Sequence, residues 1–223
     1  MQELINVFFS PEIIVKVWPF LLQGLMTTVE LSLLVIPLGL LGGLTVALFY
    51  NQGSKFTRAL VILYVDIFRS FPPLVLLILI YFGLPFLQIE ISKISAVAVC
   101  FILNTSSYYG EVFRAGLESV PKWQMEAARA SGLNLSQSLL YVIIPQSVRN
   151  VLPELISNTV EVINLTSLAS VVALPELLNN ARQAQSLTYN PTPIVLAALM
   201  YLVILWPMVR LLSLMEHKSS HVK

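Results

Sequence analysis

The sequence predicts an all-α integral membrane protein with five transmembrane helices, an outward N terminus and a cytoplasmic C terminus. Of its 223 residues, 57% are hydrophobic and only 11% are charged, and the mean hydropathy is +0.80. Soluble domains carry about 25% charged residues, so this chain has too little polar surface to cover a water-facing globule. The net charge of +1 lacks the basic excess typical of nucleic-acid binding, and no nucleic-acid partner is expected.

Five apolar segments are long enough to cross the hydrocarbon core, which takes about 20 helical residues. They cover residues 20–50, 58–86, 91–115, 150–174 and 193–215. The first residues lack the basic start and the small-residue cleavage site of a signal peptide, so the first segment is expected to be retained. We predict one membrane domain over residues 20–215, preceded by a periplasmic segment, 1–19, and followed by a cytoplasmic tail, 216–223.

Lysine and arginine residues decide the orientation, because cytoplasmic loops retain them. With the N terminus outside, the inner segments hold nine of these residues and the outer segments hold three, with Arg69 set aside as intramembrane. The opposite orientation reverses this ratio. The predicted inner connection at about residues 116–149 is the longest part of the chain outside the lipid.

This inner connection has the pattern of two short helices joined by a tight turn. Pro121 suits a first helical position, and Gly132 suits the left-handed residue that closes a helix. Asn134 or Ser136 can cap the start of the next helix. Pro145 predicts a break or bend before the fourth span.

The faces of this helix pair allow two interpretations. Ala127, Ala128 and Ala130 give the first helix a low surface that another protein can approach, and the leucine-rich second helix has an apolar side. A docking element for a cytoplasmic protein fits these faces. The alternative is an amphipathic helix at the lipid headgroups, which the scarcity of Arg and Lys and the small size of the alanine face disfavour.

The same stretch resembles a known family. Glu126-Ala127-Ala128, followed by Gly132 and then by the run VIIP ending at Pro145, is similar to the EAA loop of permease subunits in binding-protein-dependent ABC importers. The stretches 24–44, 64–85, 104–121 and 166–178 resemble the polar amino acid subgroup, which handles histidine, glutamine, glutamate, arginine and opines.

The chain departs from that subgroup in two places. Members often carry Lys-Asp where this chain has Asn164-Leu165, and they often carry Arg-Gly-Thr-Pro where this chain has Arg69-Ser70-Phe71-Pro72. Both places lie in spans expected to line the path, so the departures concern the identity of the substrate. The stretch that resembles the EAA loop is unaffected.

The resemblance implies the type I ABC importer permease fold, with the inner connection acting as a coupling helix in a groove of a cytoplasmic ATPase. The implied partners are a dimer of ABC ATPase subunits, a second permease chain, a periplasmic or lipid-anchored amino-acid-binding protein, the amino acid itself and membrane lipid. The implied location is a bacterial inner membrane, and no cofactor is implied. The coupling residues carried over by position are Glu126, Ala127, Ala128, Gly132, Val142, Ile144 and Pro145.

Ionisable residues within spans are costly and suggest function. Asp66 and Arg69 are three residues apart on one helix face, which predicts a structural ion pair near the inner mouth. The fourth span contains a group of polar residues that are candidates for the translocation path, with interhelical hydrogen bonding as the alternative role. This group comprises Glu161, Asn164, Thr166 and Ser167.

Residues typical of catalysis or metal binding are missing from the sequence. The chain has no G-x-x-x-x-G-K-[ST] loop for ATP, and His217 and His221 stand alone in the tail without acidic or cysteine partners. We therefore expect a non-catalytic subunit without a metal site, in which ATP is hydrolysed by a partner. The rival interpretation is a channel or an ion-coupled secondary carrier whose inner connection is a gate; no paired internal repeats of the kind found in such carriers were recognised.

Overall fold

The computed structural model describes residues 7–220, with side chains described for residues 7–215. This part of the chain is built from helices joined by short connections, which confirms the predicted all-α class. Wider π turns at Leu79–Gly83 and Leu139–Ile143 and tighter 3-10 turns at Leu84–Leu87 and Thr166–Val172 lie between them. The helices are α1 Pro11–Gln52, α2 Lys55–Ser70, α3 Pro73–Ile78, α4 Lys93–Ser119, α5 Lys122–Ala130, α6 Leu135–Ser138, α7 Ile144–Asn150, α8 Leu152–Leu165, α9 Leu177–Thr188 and α10 Thr192–Ser220.

Three helical segments are long and apolar enough to cross a membrane, and they correspond to the predicted first, fourth and fifth spans. They are Pro11–Gln52, Leu152–Val172 and Thr192–Met215. The predicted second span consists of Lys55–Ser70 and Pro73–Leu87, which meet at a bend of 96°. This segment reaches spanning length only when its two halves are taken together, so the count of five spans stays a prediction.

The bend in the second span results from two adjacent prolines. Pro72 and Pro73 have no backbone N–H, so they cannot donate to the carbonyls of the preceding helical turn. Helix α2 therefore ends at Ser70, and the extended Phe71 separates it from α3. The sequence predicted a span of 58–86 with these prolines inside it, and the structure replaces that continuous helix by a broken one.

Helix α4, the predicted third span, is the most enclosed element of the described chain. Of its 27 residues, 14 are buried, so it meets neighbours on most of its sides. Its middle is rich in small polar residues, including Asn104, Thr105, Ser106 and Ser107. These residues lower its hydropathy below that of a lipid-facing span, yet they are acceptable because other helices cover them.

Glycines on α1 allow α1 and α4 to pack closely. A Cβ at Gly43 would lie 2.5 Å from the Tyr109 Cβ and 2.8 Å from the Gly110 backbone nitrogen. A Cβ at Gly39 would lie 2.4 Å from the Thr105 Oγ1. Small residues at such positions are typical of helix contacts in membranes, where close backbone approach supplies the packing energy. The Tyr109 side chain is fully buried, and its hydroxyl hydrogen-bonds the Thr159 hydroxyl of α8 at 2.8 Å.

The connection between the fourth and fifth predicted spans contains α9, which packs against the N-terminal half of α1 and against α10. Glu176 caps α9: its carboxylate accepts hydrogen bonds from the backbone N–H groups of Leu178 (2.8 Å) and Asn179 (2.6 Å). The Tyr201 hydroxyl of α10 donates to the same carboxylate at 3.1 Å. Because Glu176 is fully buried, this cap joins α9 to α10 inside the bundle.

Candidate functional site

The predicted helix–turn–helix lies between α4 and α8 and has the expected local structure. Helix α5 covers Lys122–Ala130, and Gly132 has φ +90°, the left-handed region that glycine adopts without strain. Asn134 caps α6 in a capping box with Gln137, each side chain bonding the other residue's backbone N–H. Pro121 precedes the first helical residue and acts as the cap position, one residue before its predicted place.

Helix α5 has one face toward the protein and one face toward solvent. Met125 packs against the main core, and Ala128 is 6% exposed. Trp123 is 61% exposed, and Ala127 and Ala130 are exposed beside it. Positions 123, 127 and 130 share one side of a helix, whereas 125 and 128 lie on the other. The sequence grouped Ala128 with the approachable alanines; the structure shows it as an anchor to the body of the protein.

The regular α-helix in the second half of the pair is interrupted just before Pro145, where a break or bend was predicted. A π turn at Leu139–Ile143 precedes α7, and Pro145 occupies the first turn of α7. The first turn of a helix needs no backbone donor, so a proline is tolerated at this position. Leu139 and Ile143 are buried, and Val142 and Ile144 pack against the core.

The outward side of this second helix is apolar and aromatic. Leu140 is 58% exposed and Tyr141 is 66% exposed. Trp123, Ala127 and Ala130 of α5 are also exposed. We call these three residues and the exposed Leu140 and Tyr141 the outer face of the helix pair. Large exposed apolar side chains next to small residues are typical of protein contact surfaces. Glu126, by contrast, lines a cavity of about 430 Å³ next to Glu118 and Lys122.

A chain of charged side chains runs along the same end of α4. The Arg114 guanidinium donates to the Glu111 carboxylate at 2.8 and 3.1 Å and to the Glu118 carboxylate at 2.9 and 3.0 Å. Arg69, at the end of α2, lies 3.9 Å from Glu111 and places its guanidinium 5.2 Å from the ring centre of Tyr108.

The predicted Asp66–Arg69 ion pair is therefore wrong. Arg69 turns toward the carboxylate and the aromatic ring of α4, while Asp66 is exposed. A pair three residues apart on an exposed helix contributes only about 0.2–0.5 kcal/mol. Helix α4 offers the Arg69 guanidinium both the carboxylate of Glu111 and the ring face of Tyr108, and these two contacts together outweigh a pair with Asp66.

A cavity of about 370 Å³ lies between α4 and α8 and is open on one side. Among the residues that the structure describes, Glu161 is the one carboxylate in its wall, and no lysine or arginine lines it. Amide and hydroxyl groups supply most of the remaining polar surface. The lining residues are Pro73, Asn104, Thr105, Tyr108, Tyr109, Asn158, Glu161, Val162 and Leu165.

The four predicted path residues of the fourth span do not lie together at this cavity. Glu161 lines it, whereas Asn164 is exposed outside the cavity wall and Ser167 bonds back to the Asn164 carbonyl at 2.7 Å. Thr166 is fully buried, and its hydroxyl donates to the Ile163 carbonyl at 2.6 Å. This enclosure of Thr166 fits the alternative role of hydrogen bonding, and its place on the path stays a prediction.

Several residues of the site were missed by sequence reasoning. Trp123 and Tyr141 stand beside the EAA-like residues and are exposed aromatics, but a linear pattern does not show which side of a short helix faces solvent. Asn104 and Asn158 line the cavity. The polar run around Asn104 was a usable signal, since polar residues in a span are commonly turned toward a bundle interior.

Comparison with known proteins agrees with this architecture. The chain is 31% identical over 214 residues to YckA of Bacillus subtilis (strain 168), named as a probable amino-acid ABC transporter permease protein, covering 96% of this chain and 95% of YckA. It is 32% identical over 189 residues to GlnP of the same organism, named as a probable glutamine ABC transporter permease protein, covering 83% and 87% of the two chains.

Solved structures give the same result for the fold. A crystal structure described as an amino acid ABC transporter with histidines superposes with a TM-score of 0.82 at 33% identity, covering 95% of this chain and 98% of that one. An inward-facing structure of the MetNI methionine ABC transporter has a TM-score of 0.71 at 19% identity and supports the fold alone. The profile of the family described as "Binding-protein-dependent transport system inner membrane component" matches residues 36–221. The helix pair, the broken second span and these matches lead to one conclusion: the chain belongs to the family of inner membrane components of binding-protein-dependent transport systems.

Proposed function

We propose that this chain is the membrane-spanning permease subunit of an ABC importer for a polar amino acid in a bacterial inner membrane. A second permease chain completes the path, a binding protein outside delivers the amino acid, and a dimer of ATPase subunits supplies the energy. The observation that supports this proposal most strongly is the outer face of the helix pair. It presents apolar and aromatic side chains on a loop that is anchored firmly to the rest of the protein.

The two sides of the helix pair have different roles in coupling: the outer face contacts the ATPase, and the inner side is packed into the protein. On the outer face, Trp123 and Tyr141 provide the large exposed side chains, and Ala127 lets the partner's backbone approach α5. On the inner side, Ala128 and Ile143 are buried in the body of the protein. A force applied by the ATPase to the outer face is therefore passed to the core, since packed interiors transmit strain with little compression.

The charged side chains on α4 connect the helix pair to the region of the cavity between α4 and α8. Glu118 lines the other cavity, the one beside α5, and Arg114 bonds both Glu118 and Glu111. Glu111 in turn lies close to Arg69, at the bend of the second span. Closure of the ATPase dimer on ATP would move the helix pair and shift these contacts. Such a shift requires ATP to bind the two states with different affinity, which the ATPase subunits can supply.

The cavity between α4 and α8 suits one end of an amino acid. Its single carboxylate, Glu161, is available to meet an α-ammonium or a cationic side chain, and its amide and hydroxyl groups offer neutral hydrogen bonds. This arrangement supports a path for a zwitterionic or cationic amino acid. The relatives named for glutamine transport and for arginine transport, GlnP and ArtQ of Bacillus subtilis (strain 168), lie within that class.

We expect Glu161→Gln to raise the KM of uptake about tenfold while the maximal rate changes little. Loss of a charged hydrogen bond costs about 1.5–3 kcal/mol, and 1.4 kcal/mol corresponds to a factor of ten. The measurement is uptake of radiolabelled arginine and glutamine by proteoliposomes that contain this chain, the ATPase and the binding protein encoded beside its gene. ATP is supplied on the ATPase side.

Glu154→Gln is the matched control, because Glu154 is an exposed glutamate on the same helix outside the cavity wall. An unchanged KM in the Glu161 variant removes Glu161 from the path. Uptake that runs without ATP and follows an imposed ion gradient instead would contradict the importer function and favour an ion-coupled carrier.

A further inference from the structure

We propose that Asn104 is a positioning residue for transport: its amide fixes the break in the second span, so that the broken segment forms part of the cavity wall. The proposal rests on the proposed function of the cavity. Asn104 lies on α4, is 2% exposed, and lines the cavity between α4 and α8. Its side-chain amide nitrogen donates to the backbone carbonyl of Phe68 at 2.9 Å.

The Phe68 carbonyl needs this donor because of Pro72. In a continuous helix, the carbonyl of residue 68 accepts from the N–H of residue 72, and proline has no N–H to give. A carbonyl left without a donor inside a membrane protein is costly. Asn104 therefore takes over a hydrogen bond that the break removes, and it does so from the neighbouring helix.

Further contacts from α4 reach both sides of the break. The Tyr64 hydroxyl, on α2, donates to the Leu103 carbonyl at 3.1 Å or pairs with the Ser106 hydroxyl at 2.7 Å. The Cys100 thiol lies 3.4 Å from the Pro73 carbonyl on the other side. Among these contacts, the amide of Asn104 is the one that bonds to the carbonyl orphaned by Pro72.

The break matters because of where it places Pro73. Pro73 lies in the cavity wall with Asn104, Tyr108 and Glu161. If α2 and α3 straightened or changed their angle, this part of the wall would move away from Glu161. The Asn104 amide thus sets the shape of the cavity through the backbone of another span, and one of its two N–H groups is engaged in doing so.

The test measures the angle of the break directly. Cysteines at Ile62 and Leu79, which are exposed on either side of the break, are spin-labelled in the intact transporter in lipid nanodiscs, and the distance between the labels is measured by pulsed electron resonance. We expect Asn104→Leu to broaden the distance distribution and to lower the maximal rate of arginine and glutamine uptake about tenfold, because the Phe68 carbonyl loses its donor. The buried Cys100 does not interfere with labelling.

A measurement without amino acid separates positioning from direct contact with the substrate. We expect Asn104→Leu to broaden the distance distribution in the empty transporter as well, because the Phe68 carbonyl has lost its donor in that state too. A residue that acts only by touching the substrate would leave the distribution of the empty transporter unchanged. Ser107→Ala is the matched control, because the Ser107 hydroxyl bonds only to its own helix, at the Asn104 carbonyl.

Three results would overturn the proposal. These are an unchanged distance distribution in Asn104→Leu, a broadened distribution with normal uptake, and a distribution that broadens only when amino acid is present. If the unaltered transporter fails to take up amino acids with ATP, the proposed function fails. The distance measurement still shows in that case whether Asn104 holds the break.

Discussion

Gly43→Val is expected to prevent stable folding of the permease, with a loss of about 3 kcal/mol or more. A Cβ at this position meets Tyr109 at 2.5 Å and the Gly110 backbone at 2.8 Å, and overpacking of this kind typically costs about 1–3 kcal/mol even where side chains can move. Here part of the clash is with the backbone of Gly110, which cannot move away by a change of rotamer as a side chain can. The measurement is the melting temperature and the yield of monodisperse protein in detergent.

Gly83→Val is the control for this substitution, because no atom lies within 4 Å of a Cβ added there. Both variants add the same side chain to a helical segment of the same protein, so a difference between them reports packing alone. Equal melting temperatures for the two variants would show that α1 and α4 do not pack through Gly43.

The second large effect is expected at the turn of the helix pair. Gly132→Pro should leave the protein inserted but reduce ATP-dependent uptake roughly 100-fold, because proline is locked near φ −65° and Gly132 needs φ +90°. The substitution also removes the hydrogen bond from the Gly132 N–H to the Arg129 carbonyl, 3.1 Å. A strain of about 3 kcal/mol corresponds to that factor. Uptake and co-purification of the ATPase are measured together.

Gly132→Asn is the matched control for the turn, because asparagine tolerates the left-handed region better than other side chains and no atom lies within 4 Å of an added Cβ. We expect it to keep most of the uptake. Normal ATP-dependent uptake in Gly132→Pro would refute the coupling role of the pair.

Local rules predicted the helix pair well because its determinants are local. A glycine in the left-handed region, an asparagine cap and two prolines each act on their nearest neighbours along the chain. The structure confirms Gly132 and Asn134 in these roles. Pro145 lies in the first turn of α7, directly after a π turn. The proline indicated an interruption of the helix, but a pattern based on a regular 3.6-residue repeat does not show that the interruption is a π turn.

Contacts between helices could not be predicted from these local rules, because the residues involved are far apart in the sequence. Asp66 and Arg69 have the spacing of an ion pair, yet Arg69 pairs with Glu111, which is 42 positions away from it in the sequence. Thr166 is fully buried, and its place in the polar group of the fourth span gave no sign of this. The sequence also held Glu176 without any sign that it would be fully buried and would bond α9 to α10.

We propose that the outer face of the helix pair binds the ATPase. The most direct test attaches a photoreactive benzophenone to Ala127→Cys in the assembled transporter and identifies the proteins that become crosslinked on illumination. Leu202→Cys serves as the comparison, since Leu202 is 57% exposed on the apolar helix α10. Our account predicts crosslinks to the ATPase subunit from position 127 and none from position 202. Crosslinks from position 127 to lipid alone, in a transporter that hydrolyses ATP, would contradict it.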